Sequence, residues 1–439
     1  MSEAKQFDLS YLEKTFQQFE GRPYPDTPIE YSLKNDHFHL YKSSLVTAFY
    51  RRDHHVIKDL SSYYILDLAC GTGYTTLALA EANPGAKIIA TDISPESLKI
   101  AEQRLCYHGF NDLEYHLISL EETPQLGIQF DYINASDILY LLPDITLGLR
   151  QMGKLLKPSG IIHSNLHNAY ERTPFFRAQA LFQQMGLMDE NPGEIEIGLV
   201  REFFTNLKDN VHLKATTWGN RAASQVTGQE IVMNYLLQND KGFTLPQLLS
   251  FLTEAGLQLV DMVDWWAWDL AELFKDPDNL PAFMAIGLDN LPREDQLCLY
   301  ELIQPNKRLL DFWCSFPQEQ VLPIFENEPS LRVFLHPQLN TVNFREEILS
   351  TTYLAPVNLK TYVPFLLNDF WLDRAFLSAI FAPLLEAPRT LTFLAERYQQ
   401  VRPRHPVTLE PVSLAETADI VYQALLTQEQ MGILLLERL

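Results

Sequence analysis

Between residues 60 and 165 the apolar positions fall in short runs separated by amphipathic stretches, the alternation that builds a parallel sheet with helices on both faces. Runs at 65–68, 87–91, 113–118, 130–135 and 161–165 predict five strands. Helical spacing at 74–82, 98–107 and 143–156 fills the gaps. Ser94 reads as an N-cap, with Pro95 in the first turn and Glu96 at the favourable end of the helix dipole. The tightest link is the first, where strand passes to helix through Asp67, Leu68, Ala69, Cys70, Gly71, Thr72 and Gly73. Its two glycines allow a sharp turn and a close backbone approach to a ligand.

The second strand delivers Asp92 at its tip, where a carboxylate is placed to accept both hydroxyls of an adenosine ribose. Asp67 then decides between cofactors. A dinucleotide would bring a diphosphate to the end of the first strand, and a carboxylate there repels it. The third glycine of the dinucleotide pattern is also missing, with Thr76 in its place. A nicotinamide-dependent oxidoreductase is therefore disfavoured. A sulfonium ligand without phosphate reverses the argument.

Here the sequence resembles the class I S-adenosylmethionine-dependent methyltransferases, whose first motif has an acidic residue followed by Gly-x-Gly, as in Asp67 to Gly73. The resemblance implies S-adenosyl-L-methionine as cofactor, with Asp67 at its ammonium and Asp92 at its ribose. Ala69, Cys70, Gly71, Gly73 and Ile93 are expected around it, and Ser136 and Asp137 close by at the tip of the fourth strand. Many relatives have an acidic residue at the end of strand three for the adenine amine; Ser119 stands there, followed by Leu120 and the carboxylate of Glu121, so adenine recognition is expected without being assigned to one side chain. The pair Glu121 and Glu122 reads as a solvated loop.

The chain has 439 residues, too many for one such domain. Residues 1–60 are expected to form a lid, in which Tyr24 offers an aromatic face to the sulfonium. The methyltransferase domain is expected at 61–165 and 243–290, resuming after a helical insertion at 166–242. In the resumed part, 244–255 reads as a helix, Gly256 as its stop and 257–263 as a strand. Trp265, Trp266 and Trp268 follow, read as an interface core in preference to a substrate platform. Residues 291–439 are expected to form a C-terminal α+β accessory domain. It opens on a helical segment at 294–315, kinked or split at Pro305, then a strand at 331–335, a helix at 344–353 and a strand at 356–360. Two helices and a strand at its end resemble a winged helix. This part is similar to the regulatory domain of certain bacterial protein methyltransferases, including the outer-membrane-protein lysine methyltransferases. The expected fold class is thus α/β, a doubly wound Rossmann-like sheet with additions.

A formal charge of −22, from 56 acidic and 34 basic residues, repels a nucleic-acid backbone. The four cysteines lack metal-ligand spacing, and neither His37 with His39 nor His54 with His55 has a third ligand, so no metal is expected. With no apolar signal core or membrane-length apolar run, the expected setting is the cytoplasm. The expected activity is methylation of a nitrogen, a lysine or asparagine side chain of a protein. A small metabolite as acceptor, and a scaffold that binds the cofactor without turnover, stay open. So does the oligomeric state, a homodimer included. Asp137, His167 and Tyr170 are the candidates to remove or relay a proton.

Overall fold

The computed structural model describes residues 9–438, except 278, 289, 319–327, 329, 351–354, 364–365, 367 and 406. Seven strands form its main sheet: β1 (Tyr64–Leu68), β2 (Lys87–Asp92), β3 (Glu114–Leu117), β4 (Phe130–Ala135), β5 (Leu156–His167), β6 (Gln258–Met262) and β7 (Leu309–Ser315). Their order is β3-β2-β1-β4-β5-β7-β6. The first five run parallel, and β7 is antiparallel to both neighbours. The strand order reverses between β1 and its neighbours β2 and β4, and a crevice for a ligand opens at such a switch point, beyond the carboxyl ends of the strands.

The five expected strands are present, and β5 is longer than expected: it starts at Leu156, with an irregular register where residues 157–160 pass Phe130. One expectation fails. The segment 294–315 is split before Pro305, but only its first part is helical: the helix Arg293–Ile303 is followed by β7, which lies in the middle of the antiparallel half of the main sheet. A boundary at 290 therefore cuts through the sheet. The reason is local ambiguity, because a short apolar run after a helix does not state its own period.

The insertion folds as helices Ala169–Gln184, Glu194–Asn206 and Gly228–Tyr235 around their own core, where the rings of Phe204 and Trp218 stack at 4.7 Å. The helix Leu245–Ala255 stops at Gly256, whose φ of 77° suits glycine, and leads into β6 as expected. Past β7 come β8 (Arg332–Leu335), β9 (Val357–Asn358), β10 (Trp371–Leu372), β11 (Arg389–Thr390) and β12 (Leu434–Glu437). A second, antiparallel sheet has the order β11-β8-β12. Helices Leu391–Val401 and Leu414–Gln430 precede its last strand. The expected helix at 344–353 is Val342–Leu349; its final residues, 351–353, lie outside the described residues, as do the first eight of the N-terminal segment. Among the described residues no helix is long and apolar enough to cross a membrane.

N-terminal helices His37–Ser43 and Leu45–Asp53 lie between the two sheets. Tyr41 stacks on His336 at 4.0 Å and its hydroxyl donates to the Gly432 carbonyl at 3.0 Å. The Tyr50 hydroxyl accepts from the Leu436 amide at 2.9 Å, and Trp265 Nε1 donates to the Gln430 carbonyl at 3.0 Å. Trp265 thus sits in an interface core, while Trp268 is buried in the core of the main sheet. Gly432 has a φ of 70°, and a Cβ there would meet Trp265 Cζ2 at 2.8 Å. Gly432→Val should therefore destabilise the fold by about 1–3 kcal/mol through overpacking. Denaturant unfolding checks this: an unchanged midpoint would mean that the two sheets do not depend on this contact.

Candidate active site

A cavity of about 640 Å³ opens at the carboxyl ends of β1, β2, β3 and β4. Its inner wall is the turn after β1, where Ala69, Gly71 and Gly73 have φ of 54°, 54° and 78°. The close approach at Gly71 is to the chain's own N-terminal segment, since a Cβ there would lie 2.2 Å from the Tyr24 carbonyl oxygen. That oxygen accepts from the Thr72 amide at 2.9 Å, and the Thr72 hydroxyl donates to the Pro25 carbonyl at 2.8 Å. Buried Arg104 adds bonds to the carbonyls of Thr72, Thr27 and Pro28. Burial lowers its pKa, but a guanidinium remains charged. Turn and N-terminal segment are therefore one locked unit.

Most of the expected cofactor residues line this cavity. Ala69, Cys70 and Gly71 form the turn side, Asp92 and Ile93 the tip of β2, Ser119 and Leu120 the exit of β3, and Ser136 the exit of β4, with Tyr24 opposite. Asp92 accepts from the amides of Gly71 and Ser94, both at 2.8 Å, which pins the turn to β2. Burial pushes its pKa up, and those amides pull against it. Asp67 does not line the cavity. It is wholly buried, and its oxygens accept from Thr75 (3.0 Å), Thr76 (2.6 Å) and Asn134 (2.6 Å), so it supports the turn from behind. Gly73 also stays behind the wall: a Cβ there would strike Ala101 Cα at 2.8 Å, so this glycine serves helix packing.

Residues 59–239 match the family described as a methyltransferase domain. That stretch, less than half of the chain, is similar to a methyltransferase domain. The chain is 41% identical over 98 residues to a magnesium-protoporphyrin O-methyltransferase of Rhodobacter capsulatus, covering 22% of this chain and 42% of that protein. An uncharacterized protein of Synechococcus sp. is 28% identical over 252 residues, 57% of this chain and 59% of the relative. The chain thus spans about half the length of these curated relatives. Among solved structures, PKMT2 from Rickettsia typhi in complex with AdoHcy is similar in fold, with a TM-score of 0.60 at 15% identity over 94% of this chain and 77% of that one.

Of the three residues expected to move a proton in the methyltransferase domain, the structure brings one to the cavity. Asp137 follows β4 with a φ of 58°, unusual outside glycine and a form of strain often found at functional sites. Its Oδ1 is buried without a hydrogen-bond partner, 4.0 Å from Arg308 Nη2. Burial, with Asp137 next, pushes the nearby Tyr24 phenol up to about 12, so it stays neutral at physiological pH. His167 is elsewhere. Its Nδ1 donates to buried Asp240 at 2.5 Å, its ring stacks on Tyr140 at 3.8 Å, and its Nε2 accepts from Arg308 at 3.3 Å. Burial lowers its pKa, in keeping with a neutral ring. Tyr170 starts the first insertion helix, exposed and away from the cavity.

Sequence reasoning missed several residues that line the cavity. Phe16 and Phe19 reach in from the helix Leu9–Gly21 and Met233 from the insertion, with Leu141 and Leu142 beyond β4. The three-residue spacing of the phenylalanines was the available signal, and it reads equally as core. Glu121 faces the cavity instead of solvent, while Glu122 folds back to accept from the Ser119 amide at 2.9 Å. Among the described residues the lining holds Glu13, Asp92, Glu121 and Asp137 and no Lys, Arg or His. A diphosphate would be repelled there and a sulfonium attracted.

Two variants test this geometry. Asp92→Ala should cost about 1.5–3 kcal/mol of cofactor binding, the value of a hydrogen bond to a charged group. Calorimetry with S-adenosylhomocysteine checks it, and wild-type affinity would refute the assignment. Asp240→Asn should destabilise the fold by about 3–5 kcal/mol, because it takes the charge partner from buried Arg172, bonded to Asp240 Oδ2 at 2.6 Å. A loss of turnover with unchanged unfolding would show a chemical role for this cluster instead.

Proposed function

We propose that this protein transfers a methyl group from S-adenosylmethionine to a nitrogen of a protein side chain, a lysine amine or an asparagine amide. The observation that carries the reading is the lining of four carboxylates without a described basic group. It suits a ligand with a sulfonium and an ammonium. Residues present fit each part: Asp92 the ribose, Ser119 and Glu121 the adenine edge, and the Ala69 to Gly71 backbone the amino-acid end. When bound, the cofactor supplies an electrophilic methyl group.

The protein's own task is then to align the acceptor and exclude water. Tyr24, neutral and aromatic, offers a ring face to positive charge. Asp137 Oδ1, buried and without a hydrogen-bond partner, is available to accept a hydrogen bond from the acceptor nitrogen and to orient its lone pair. A protein acceptor is favoured because the N-terminal segment and the insertion both border the cavity and offer surface that a metabolite does not need. The free thiols of all four cysteines favour a reducing, cytoplasmic setting. A second reading has its own support: Phe16, Phe19, Leu141, Leu142 and Met233 make an apolar wall suited to a small hydrophobic acceptor.

Incubating the protein with radiolabelled methyl donor and dialysed extract should place the label in a protein band. Label confined to a small-molecule fraction of undialysed extract would establish the second reading. Cofactor binding without any transfer would leave a non-catalytic scaffold. In the active case Asp137→Asn should lower kcat about a hundredfold or more, the usual worth of a positioned acid–base group, with S-adenosylhomocysteine affinity held within a few-fold.

A further inference from the structure

A second cavity, of about 390 Å³, lies between the end of the N-terminal helix and the insertion. It shares Phe19, Tyr24 and Met233 with the first, so these side chains are the partition between them. Tyr24 lines the first cavity together with Asp137, and the two side chains interact electrostatically.

The second cavity has a built frame. On one side Gln18 Nε2 donates to the Leu236 carbonyl at 3.1 Å, and its Oε1 accepts from the Gln238 amide at 3.2 Å. On the other, Gln229 Oε1 accepts from the Asp26 amide at 2.9 Å, and Arg22 pairs with Glu194. Two segments about two hundred residues apart are thus stitched together around an open space, where ordinary packing would have closed it. Its charged lining is Arg22, Asp26 and Glu194, and the Arg22–Glu194 pair leaves the Asp26 carboxylate in excess.

We infer that this second cavity is the acceptor vestibule, and that it admits a cationic amine on a slender, flexible stem, past Tyr24 toward Asp137. The inference rests on the reading of the first cavity as the cofactor site. A carboxylate stands at the entrance, and Asp137 borders the first cavity with a buried oxygen that accepts no hydrogen bond and has Arg308 Nη2 at 4.0 Å; together these two carboxylates favour a cationic group. Phe19, Val232 and Met233 supply apolar contact for a methylene stem.

Gly21 provides a clean obstruction. It lines the vestibule, and a Cβ added there meets nothing within 4 Å, so a side chain can start there without a clash. The probe is a blocked pentapeptide with one lysine between glycines, with a norleucine twin lacking the ammonium. Binding is followed by ligand-observed NMR at about 0.15 M salt, where surface charge is largely screened, with saturating S-adenosylhomocysteine present. The lysine peptide is expected to bind at least about tenfold more tightly than its twin, a difference of about 1.4 kcal/mol. Gly21→Trp should remove that binding while Gly21→Ala keeps it, with the same thermal midpoint and S-adenosylhomocysteine affinity in all three proteins. Equal binding of the two peptides, or undiminished binding by Gly21→Trp, overturns the vestibule and leaves the cofactor site intact. Absence of S-adenosylhomocysteine binding by the wild-type protein overturns the cofactor reading and this inference with it.

Discussion

The site depends on a carboxylate that does not line the cavity. Asp67 is buried in the middle of the sheet, where an unpaired charge costs on the order of several kcal/mol. Burial pushes its pKa up, against donors from Thr76, Asn134 and Thr75. With Asn134 Nδ2 committed to Asp67, its Oδ1 can only accept, and it takes bonds from His163 Nδ1 at 2.6 Å and from the Ser136 hydroxyl at 2.9 Å. His163 Nε2 faces Asp311 at 2.7 Å, so this ring bridges Asn134 and Asp311. Burial would raise Asp311, but the charge and bond of His163 outweigh it and hold the carboxylate below its usual range. One hydrogen-bond chain therefore crosses β1, β4, β5 and β7 and fixes the floor on which the glycine turn and Ser136 stand.

The carboxylates divide by what they face. Asp240 meets Arg172 and His167, Asp311 meets His163, and Asp264 meets Lys307 at 2.6 Å, so each is spent on structure. Asp92 gives its oxygens to backbone amides and still borders the cavity. Glu13, Glu121 and Asp137 border it, and among the described residues only Asp137 of these three has an ion-pair partner, Arg308 at 4.0 Å. A negative field is thereby left in one place. In a partly desolvated cleft that field acts more strongly than the same charges would on the open surface.

The parallel half of the fold was legible because each element carried its own signal: the Ser94 cap, the glycine turn, the short apolar runs. The cofactor class was legible from the acidic residue and Gly-x-Gly of the first motif, although the carboxylate in that motif serves the turn and not the cavity lining. Direction was not legible. Asp67 could be placed at the end of β1 from the sequence, but whether its carboxylate points to the ligand or to Thr75, Thr76 and Asn134 depends on partners that the local pattern does not name. His167 shows the same limit, because the partner that occupies it, Asp240, comes seventy-three residues later. The strand β7 was hidden for another reason: Leu309 to Ser315 contains no β-branched residue, and its place is set by Asp311 finding His163 across the sheet.

These contacts also decide how separable the C-terminal half is. Residues 309–315 pair with both β5 and β6, so a chain ended near 290 would expose two sheet edges and strip His163 of its carboxylate. The later part is no freer, since Tyr41, Thr47 and Tyr50 bond to Gly432, His336 and Leu436. His336 sits in that interface wholly buried, with a pKa lowered by burial to about 3, and so adds no charge that would need solvating. The N-terminal helices that make these bonds are continuous with the segment holding Tyr24 against the glycine turn. Support for the cavity therefore runs from β12 through the N-terminal helices to Thr72, and the C-terminal half takes part in shaping the site whatever partner it meets.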